Sequence, residues 1–275
     1  MVALLAKRLG GIRTRIVATL HGNLWEPDKK LVKRFGRRVM YPWADAITAV
    51  SAGVADDFSQ FSWLPRNRLS VIHNPIVSPE LKERARDAVE HDWFVTSDIP
   101  VILAVGRLII EKDYATLIRA FALVRNKRPA RLVILGEGME RKSIEALVDD
   151  LGLREKVLML GFVDNPYAYM AKSSLLVLSS TIEGFSNVLA EALAVGTPVV
   201  STDCKSGPRE VLDNGKYGTL VPVGDIQALA AAIEKQLATS HDKEFLMARA
   251  DEFSIEKITD QFLEAAGLAT VAHAS

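Results

Sequence analysis

Cysteine is nearly missing from this chain: Cys204 stands alone among 275 residues. A single thiol excludes an internal disulfide framework and any cysteine-built metal site, and it fits a reducing cytoplasm. The five histidines are dispersed, with no H-x-x-x-H and no D-x-D, so neither a metal nor another bound cofactor is expected. The G-x-S-x-G elbow of a serine hydrolase is missing too. No apolar run approaches the roughly 18–20 residues needed to cross a bilayer. The opening MVALLAKRLGG is too short for a secretory signal and has its charges on the wrong side, so a cytoplasmic protein is expected. Solenoid repeats and low-complexity tracts are lacking. Lys plus Arg and Asp plus Glu are 34 each, so net charge points to no partner, and no nucleic acid is expected.

What is present is the composition of an ordinary globular protein, 49% hydrophobic and 25% charged, in a chain long enough for one large or two modest domains. The charge is unevenly spread. Residues 1–76 hold twelve Lys and Arg against five acids, and the remainder hold twenty-two against twenty-nine. Six cations (Lys29, Lys30, Lys33, Arg34, Arg37 and Arg38) fall in one predicted helix that Asp28 can cap. Such a face is either solvated or a peripheral contact with an anionic membrane, each cation contributing about 1 kcal/mol near the surface.

Apolar runs alternate with amphipathic stretches, the pattern of α/β parallel units. Residues 2–9 read as a helix, Arg15–Leu20 as a buried strand, Ala46–Val50 as a strand, Ser51–Phe58 as a capped helix and Leu69–Ile72 as a third strand. Residues 77–98 lose the periodic pattern and read as a linker. Alternation restarts at Pro100 and gives six strands, near residues 101–105, 131–135, 156–160, 175–178, 198–201 and 218–221. A final amphipathic helix, Ser254–Gly267, places Ile255, Ile258, Phe262 and Leu263 on one face. The expected organisation is a partial Rossmann-like domain at 1–76, a linker at 77–98, a complete doubly wound domain at 99–253 and a terminal helix at 254–275.

Leu175–Leu178 and the residues 180–203 that follow (STIEGFSNVLAEALAVGTPVVSTD) read as a strand–loop–helix–strand unit. The loop after a strand's carboxyl end and the first turn of the next helix form the ligand crevice of such a unit, because free backbone N–H groups and the positive helix end point there. Ser186 or Asn187 can cap the helix, and Gly184 allows a close backbone approach to a ligand. Glu183 in the turn and Glu191 in the helix can face one crevice. There their carboxylates suit the vicinal hydroxyls of a sugar or ribose, while the helix amides suit phosphate. Taken alone, E-x7-E is as readily two surface acids. After the first strand of the second domain come Gly106-Arg107 and, five residues on, Lys112, which would reach the same crevice. Arginine binds a diphosphate bidentately and lysine as a point charge. Gly136-Glu137-Gly138 lacks the third glycine of the dinucleotide fingerprint, position 141 being Arg.

The string EGFSNVLAEALAVGTPVV resembles the donor-site signature of family 4 retaining glycosyltransferases, glycosyltransferase group 1, and Gly106–Lys112 matches that family's G-R-x4-K. The resemblance covers nearly the whole chain and is strongest over residues 101–221. It implies a GT-B fold of two Rossmann-like domains. It also implies a metal-independent retaining transfer of a hexose or N-acetylhexosamine from a nucleotide diphosphate sugar, expected to be UDP-linked, to a glycan or lipid-linked acceptor. By the same resemblance, Arg107 and Lys112 stabilise the leaving diphosphate, Glu183 orients the sugar, Glu191 holds the ribose, and the amides of Phe185, Ser186 and Asn187 hold sugar and phosphate. The Gly136 loop lies against the donor, Phe162 sits in the stretch that reads the base or else in the core, His21 faces the donor across the interdomain cleft, and Asn74 is a hinge residue. The family's THG strand lies far into its first domain, whereas here it begins at Thr19, so this chain looks like a member lacking the front half of that domain. A nucleotide-sugar-binding fragment without transfer activity is the first alternative, and a GT-B nucleotide-sugar epimerase the second.

Overall fold

The computed structural model describes residues 2–11, 13–22, 38–62, 64–95 and 98–268, and within them the apolar runs build two parallel sheets. In the first, β1 (Val17–Leu20), β2 (Ala46–Ala49) and β3 (Leu69–Val71) lie side by side in chain order, Val17 opposite Ala46 and Ile47 opposite Leu69. The middle strand β2 is buried from Ile47 to Ala49. β1, expected to be buried, has three half-buried residues before Leu20, because an edge strand has only one neighbour.

The second sheet contains β4 (Val101–Val105), β5 (Arg131–Leu135), β6 (Val157–Gly161), β7 (Leu175–Leu178), β8 (Val199–Thr202) and β9 (Thr219–Val221), all parallel, in the spatial order β6-β5-β4-β7-β8-β9. The central pair, β4 and β7, consists of aliphatic residues and alanine and is buried almost throughout, as helices cover both faces of the sheet. Strand order reverses between β4 and β7. The helices that follow them therefore pack on opposite faces, and a crevice is left at the carboxyl ends.

Polar residues at the helix starts fix where each element begins. Ser51 Oγ accepts from the Val54 amide at 3.2 Å, opening the helix Ala52–Ser62, which runs beyond the expected Phe58. Asp113 takes a left-handed φ of 42° and accepts from the Thr116 amide at 3.2 Å, capping Tyr114–Lys127. Asp225 and Asp242 cap Ile226–Leu237 and Lys243–Ala250 in the same way. Each such cap contributes about 1 kcal/mol.

Residues 77–98 carry structure that their sequence pattern conceals. Ser78 caps a short helix, Pro79–Arg84, and Asp92–Val95 form a further turn of helix. The segment is tied to the second sheet's helices: Arg84 donates to the Asp164 carboxylate at 2.7 Å and Lys172 to the Asp87 carbonyl at 2.5 Å. Val77 pairs with Ser254 in a parallel bridge. The last helix, Ile255–Ala265, ends where Arg15 Nη1 donates to the carbonyls of Ala266 and Gly267 at 2.7 and 3.0 Å, joining the two ends of the described chain. Of its expected apolar face, Ile258 is fully buried but Ile255 is 41% exposed. Among the described residues no helix is long and apolar enough to cross a membrane. The predicted basic helix at Lys29–Arg38 lies, apart from Arg38, outside the described residues.

Candidate active site

The loops leaving β4 and β7 are stitched together at the crevice. From β4 the chain passes Gly106 and Arg107 into a single 3-10 turn, Ile110–Lys112. From β7 it passes Ser179 to Glu183. Ser179 Oγ donates to the Lys112 carbonyl at 2.8 Å, and the Thr181 amide donates to the Glu111 carbonyl at 2.8 Å. With the backbones so held, Lys112 Nζ meets Glu183 Oε1 at 2.5 Å, and Ser180 Oγ donates to the same oxygen at 2.7 Å. The pair is shielded, the two side chains being 19% and 12% exposed. Arg107 is exposed on the rim and has no ion-pair partner among the described residues. These groups, with His21 and Asn74 from the first sheet, line an open cleft of about 410 Å³.

The helix Asn187–Ala194 points its amino end into this cleft. Ser186 occupies the N-cap position with φ 75° and ψ 63°, and no side chain caps the helix. The expected cap from Ser186 or Asn187 is therefore not made. Ser186 Oγ is buried without a partner among the described residues, and Asn187 Oδ1 instead accepts from Asn74 Nδ2 at 2.7 Å. A serine in the left-handed region costs about 1–3 kcal/mol, strain of the kind that collects at ligand sites. The uncapped amides remain free to meet an anion. One and a half turns along, Glu191 also lines the cleft. Burial pushes its carboxyl up to about 7.

The surroundings of several glycines and aromatics define what each contributes. Gly184 lines the cleft, and its backbone also lies against the first unit: a Cβ there would fall 2.3 Å from the His21 carbonyl oxygen. A Gly184→Ala variant should accordingly lose about 1–2 kcal/mol of stability, read as a fall of several degrees in Tm. Gly136 packs on the backbone of Gly106, where a Cβ would lie 1.9 Å from its carbonyl oxygen, and Gly138 packs likewise on Leu108. The G-E-G turn thus supports the Gly106–Leu108 loop from behind, and Gly136 is not among the residues lining the cleft. Phe185 is 2% exposed, its ring stacked on His73 at 4.9 Å and edge-on to Phe253 at 5.2 Å, so it offers the cleft backbone rather than a ring. Phe162 is 80% exposed, which removes the core alternative, and it lies outside the cleft lining.

Two participants escaped the sequence reading. Ser180 holds Glu183, a role its place three residues ahead of that acid could have indicated. Tyr114 supports the β4 loop by donating from its hydroxyl to the Gly106 carbonyl at 3.0 Å. Below the site Cys204 is 4% exposed with its thiol 3.7 Å from the Ser206 carbonyl, and burial, then the charge of Glu183, pushes it up to about 12.

Two parallel α/β units facing each other across a cleft, with cations and an open helix end at the switch point of the larger sheet, define the GT-B class. The profile of glycosyl transferases group 1 matches residues 87–253, and that of glycosyltransferase family 4 matches residues 1–78. The chain is 37% identical over 273 residues to the N-acetylgalactosamine-N,N'-diacetylbacillosaminyl-diphospho-undecaprenol 4-alpha-N-acetylgalactosaminyltransferase of Campylobacter jejuni, covering 96% of this chain and 72% of that one. It is 33% identical over 225 residues to the lipopolysaccharide core biosynthesis glycosyltransferase LpsE of Rhizobium meliloti, covering 80% of this chain and 63% of the relative. Among solved structures, Anabaena Alr3699/HepE in complex with UDP superposes with a TM-score of 0.80 at 25% identity, over 97% of this chain and 75% of that one. The chain belongs to the glycosyl transferases group 1 family.

Proposed function

We propose that the cleft binds a nucleotide diphosphate sugar, UDP-linked, and that the chain transfers its hexose or N-acetylhexosamine with retention to a glycan or lipid-linked acceptor in surface polysaccharide or glycoconjugate synthesis. The observation that carries this reading is the convergence of Lys112, Glu183, Arg107, Glu191 and the uncapped start of helix Asn187–Ala194 at one switch point. Arg107 and the helix amides receive the diphosphate. Lys112 turns from Glu183 towards the leaving phosphate, and Glu183, held by Ser180, accepts from a sugar hydroxyl. Glu191 accepts from the ribose diol. When the bond from the anomeric carbon to the diphosphate breaks, its electron pair goes to the phosphate oxygen, where these cations stabilise the charge without a bound metal. The acceptor hydroxyl adds to the same face and its proton passes to that oxygen. UDP in the HepE structure and the lipid-diphosphate acceptor in the name of the Campylobacter relative support the donor and acceptor classes.

The test is a thermal-shift panel of UDP, GDP, ADP and their sugars, followed by acceptor screening with the sugar that shifts. At 100 times its dissociation constant a ligand stabilises by about 2.7 kcal/mol. One nucleotide class should shift the protein, and no shift with any would overturn the reading. Binding without turnover is the second reading, favoured by a first sheet of three strands, among the described residues, facing one of six.

A further inference from the structure

Beyond β8 the chain runs from Lys205 to Glu210 without entering the cleft. Glu210 belongs to the short helix Pro208–Val211 of the second unit, yet its carboxylate crosses to the first. Its Oε2 accepts from the Ala52 amide at 2.7 Å and its Oε1 from the Gly53 amide at 3.1 Å. These are the first amides of helix Ala52–Ser62, whose own cap, Ser51, reaches only Val54 through its hydroxyl. A carboxylate shared by two amides at a helix start is a charge-assisted contact aligned with the helix dipole.

The neighbourhood makes this junction tight. Lys205 Nζ pairs with Asp57 Oδ1 of the same helix at 2.6 Å, and the Asp57 side chain is 7% exposed. Gly53 lies so near Ser206 that a Cβ would fall 2.5 Å from its hydroxyl oxygen. On the opposite side, a Cβ on Gly207 would fall 2.6 Å from the Phe185 carbonyl in the cleft wall. Arg249 donates to the Glu210 carbonyl at 2.5 Å and to the Val211 carbonyl at 3.0 Å, fixing the segment to its own unit. Direct contacts therefore run from helix Ala52–Ser62 through residues 205–210 to the loop that bears Glu183.

We propose that Glu210 is a positioning residue: its hold on helix Ala52–Ser62 sets where the first sheet, with His21 and Asn74, stands over the cleft. The inference rests on the nucleotide-sugar reading of that cleft, and Glu210 touches neither donor nor acceptor. The reaction needs the first sheet closed over the donor, because positioning and water exclusion supply much of the rate.

Backbone hydrogen exchange on the full chain tests it, with and without UDP, GDP and ADP. In the native protein the nucleotide that binds should protect both the Glu183–Asn187 loop and the β1 exit at residues 20–22. In Glu210→Gln, protection of the Glu183–Asn187 loop should remain. Residues 20–22 should exchange at least tenfold faster and gain no protection from nucleotide, while core amides of β4 and β5 keep their native rates. Gly53→Ala, which forces the same junction apart with the carboxylate intact, should give the same pattern and serves if Glu210→Gln does not fold. Native rates at residues 20–22 in both variants would overturn the proposal. Equal acceleration in β4 and β5 would also overturn it, showing a general structural role. If no nucleotide protects the native Glu183–Asn187 loop, the reading of the cleft fails, while the ligand-free rates at residues 20–22 still decide the role of Glu210.

Discussion

Glu191→Gln should make the ligand-free protein more stable at pH 8 and at the same time unable to hold its nucleotide tightly. The carboxyl of Glu191 is pushed from the ordinary 4.5 to about 7 by burial. The folded chain therefore retains a proton that the unfolded chain has lost between those two values. Stability falls as pH rises across this window, by about 3 kcal/mol in all. Below pH 4.5 both states are neutral and nothing is lost; above pH 7 the whole penalty is present. An uncharged amide of the same shape avoids it, so the variant should match the native protein near pH 4.5 and melt roughly 5 °C higher at pH 8. Binding should move the other way. A ribose diol donating to a carboxylate forms charge-assisted hydrogen bonds, and their loss should weaken nucleotide binding by about 10–100-fold. In the native protein that affinity should climb with pH up to about 7 and then level off, whereas in the variant it should be flat. Melting curves and titration calorimetry over pH 4.5–8.5 measure both. A native affinity without pH dependence would remove Glu191 from the ribose site.

Lys112→Ala should give the largest loss of turnover, about 10²–10³-fold, the size found when a preorganised group aimed at developing charge is removed. It should also destabilise, since Glu183 is left shielded with Ser180 but without its cation. Removing the cation that faces a shielded carboxylate costs about 1–3 kcal/mol. Lys112→Ala/Glu183→Ala should recover most of that stability, because neither charge is then stranded, while activity stays lost. Denaturation midpoints of the two single variants and the double variant isolate the coupling. Additive stabilities would show that the two side chains do not depend on one another. Arg107, exposed on the rim, has no ion-pair partner among the described residues, so Arg107→Ala should weaken nucleotide binding with little effect on Tm.

Much of this arrangement could be read from local pattern. Leu175–Leu178 and Val101–Val105 are aliphatic runs of strand length that can only be buried, and the alternation around them dictates parallel pairing. G-R-x4-K and E-x7-E then fall at the ends of two strands that the doubly wound order makes neighbours. Pattern does not reveal what approaches a residue from far along the chain. Gly184 and Gly136 carry the mark of conformational freedom, but the backbones crowding them belong to His21 and Gly106, set by how the units and strands dock. The motif assigns the amide of Phe185 to the donor, but where its ring goes is seen only with His73 and Phe253 around it. The helix Pro79–Arg84 is short and charged, and its place depends on Asp164, eighty residues away, more than on any periodicity of its own.

The buried Cys204 makes the molecule its own stopwatch. With one thiol in the chain, set just below the donor loops and protonated at any physiological pH, an alkylating reagent can react there only when the segment after β8 swings open. The labelling half-time therefore reports how often the floor of the cleft breathes, without mutation or probe. A second cysteine placed on the surface could meanwhile carry a dye or spin label that the native thiol would not compete for.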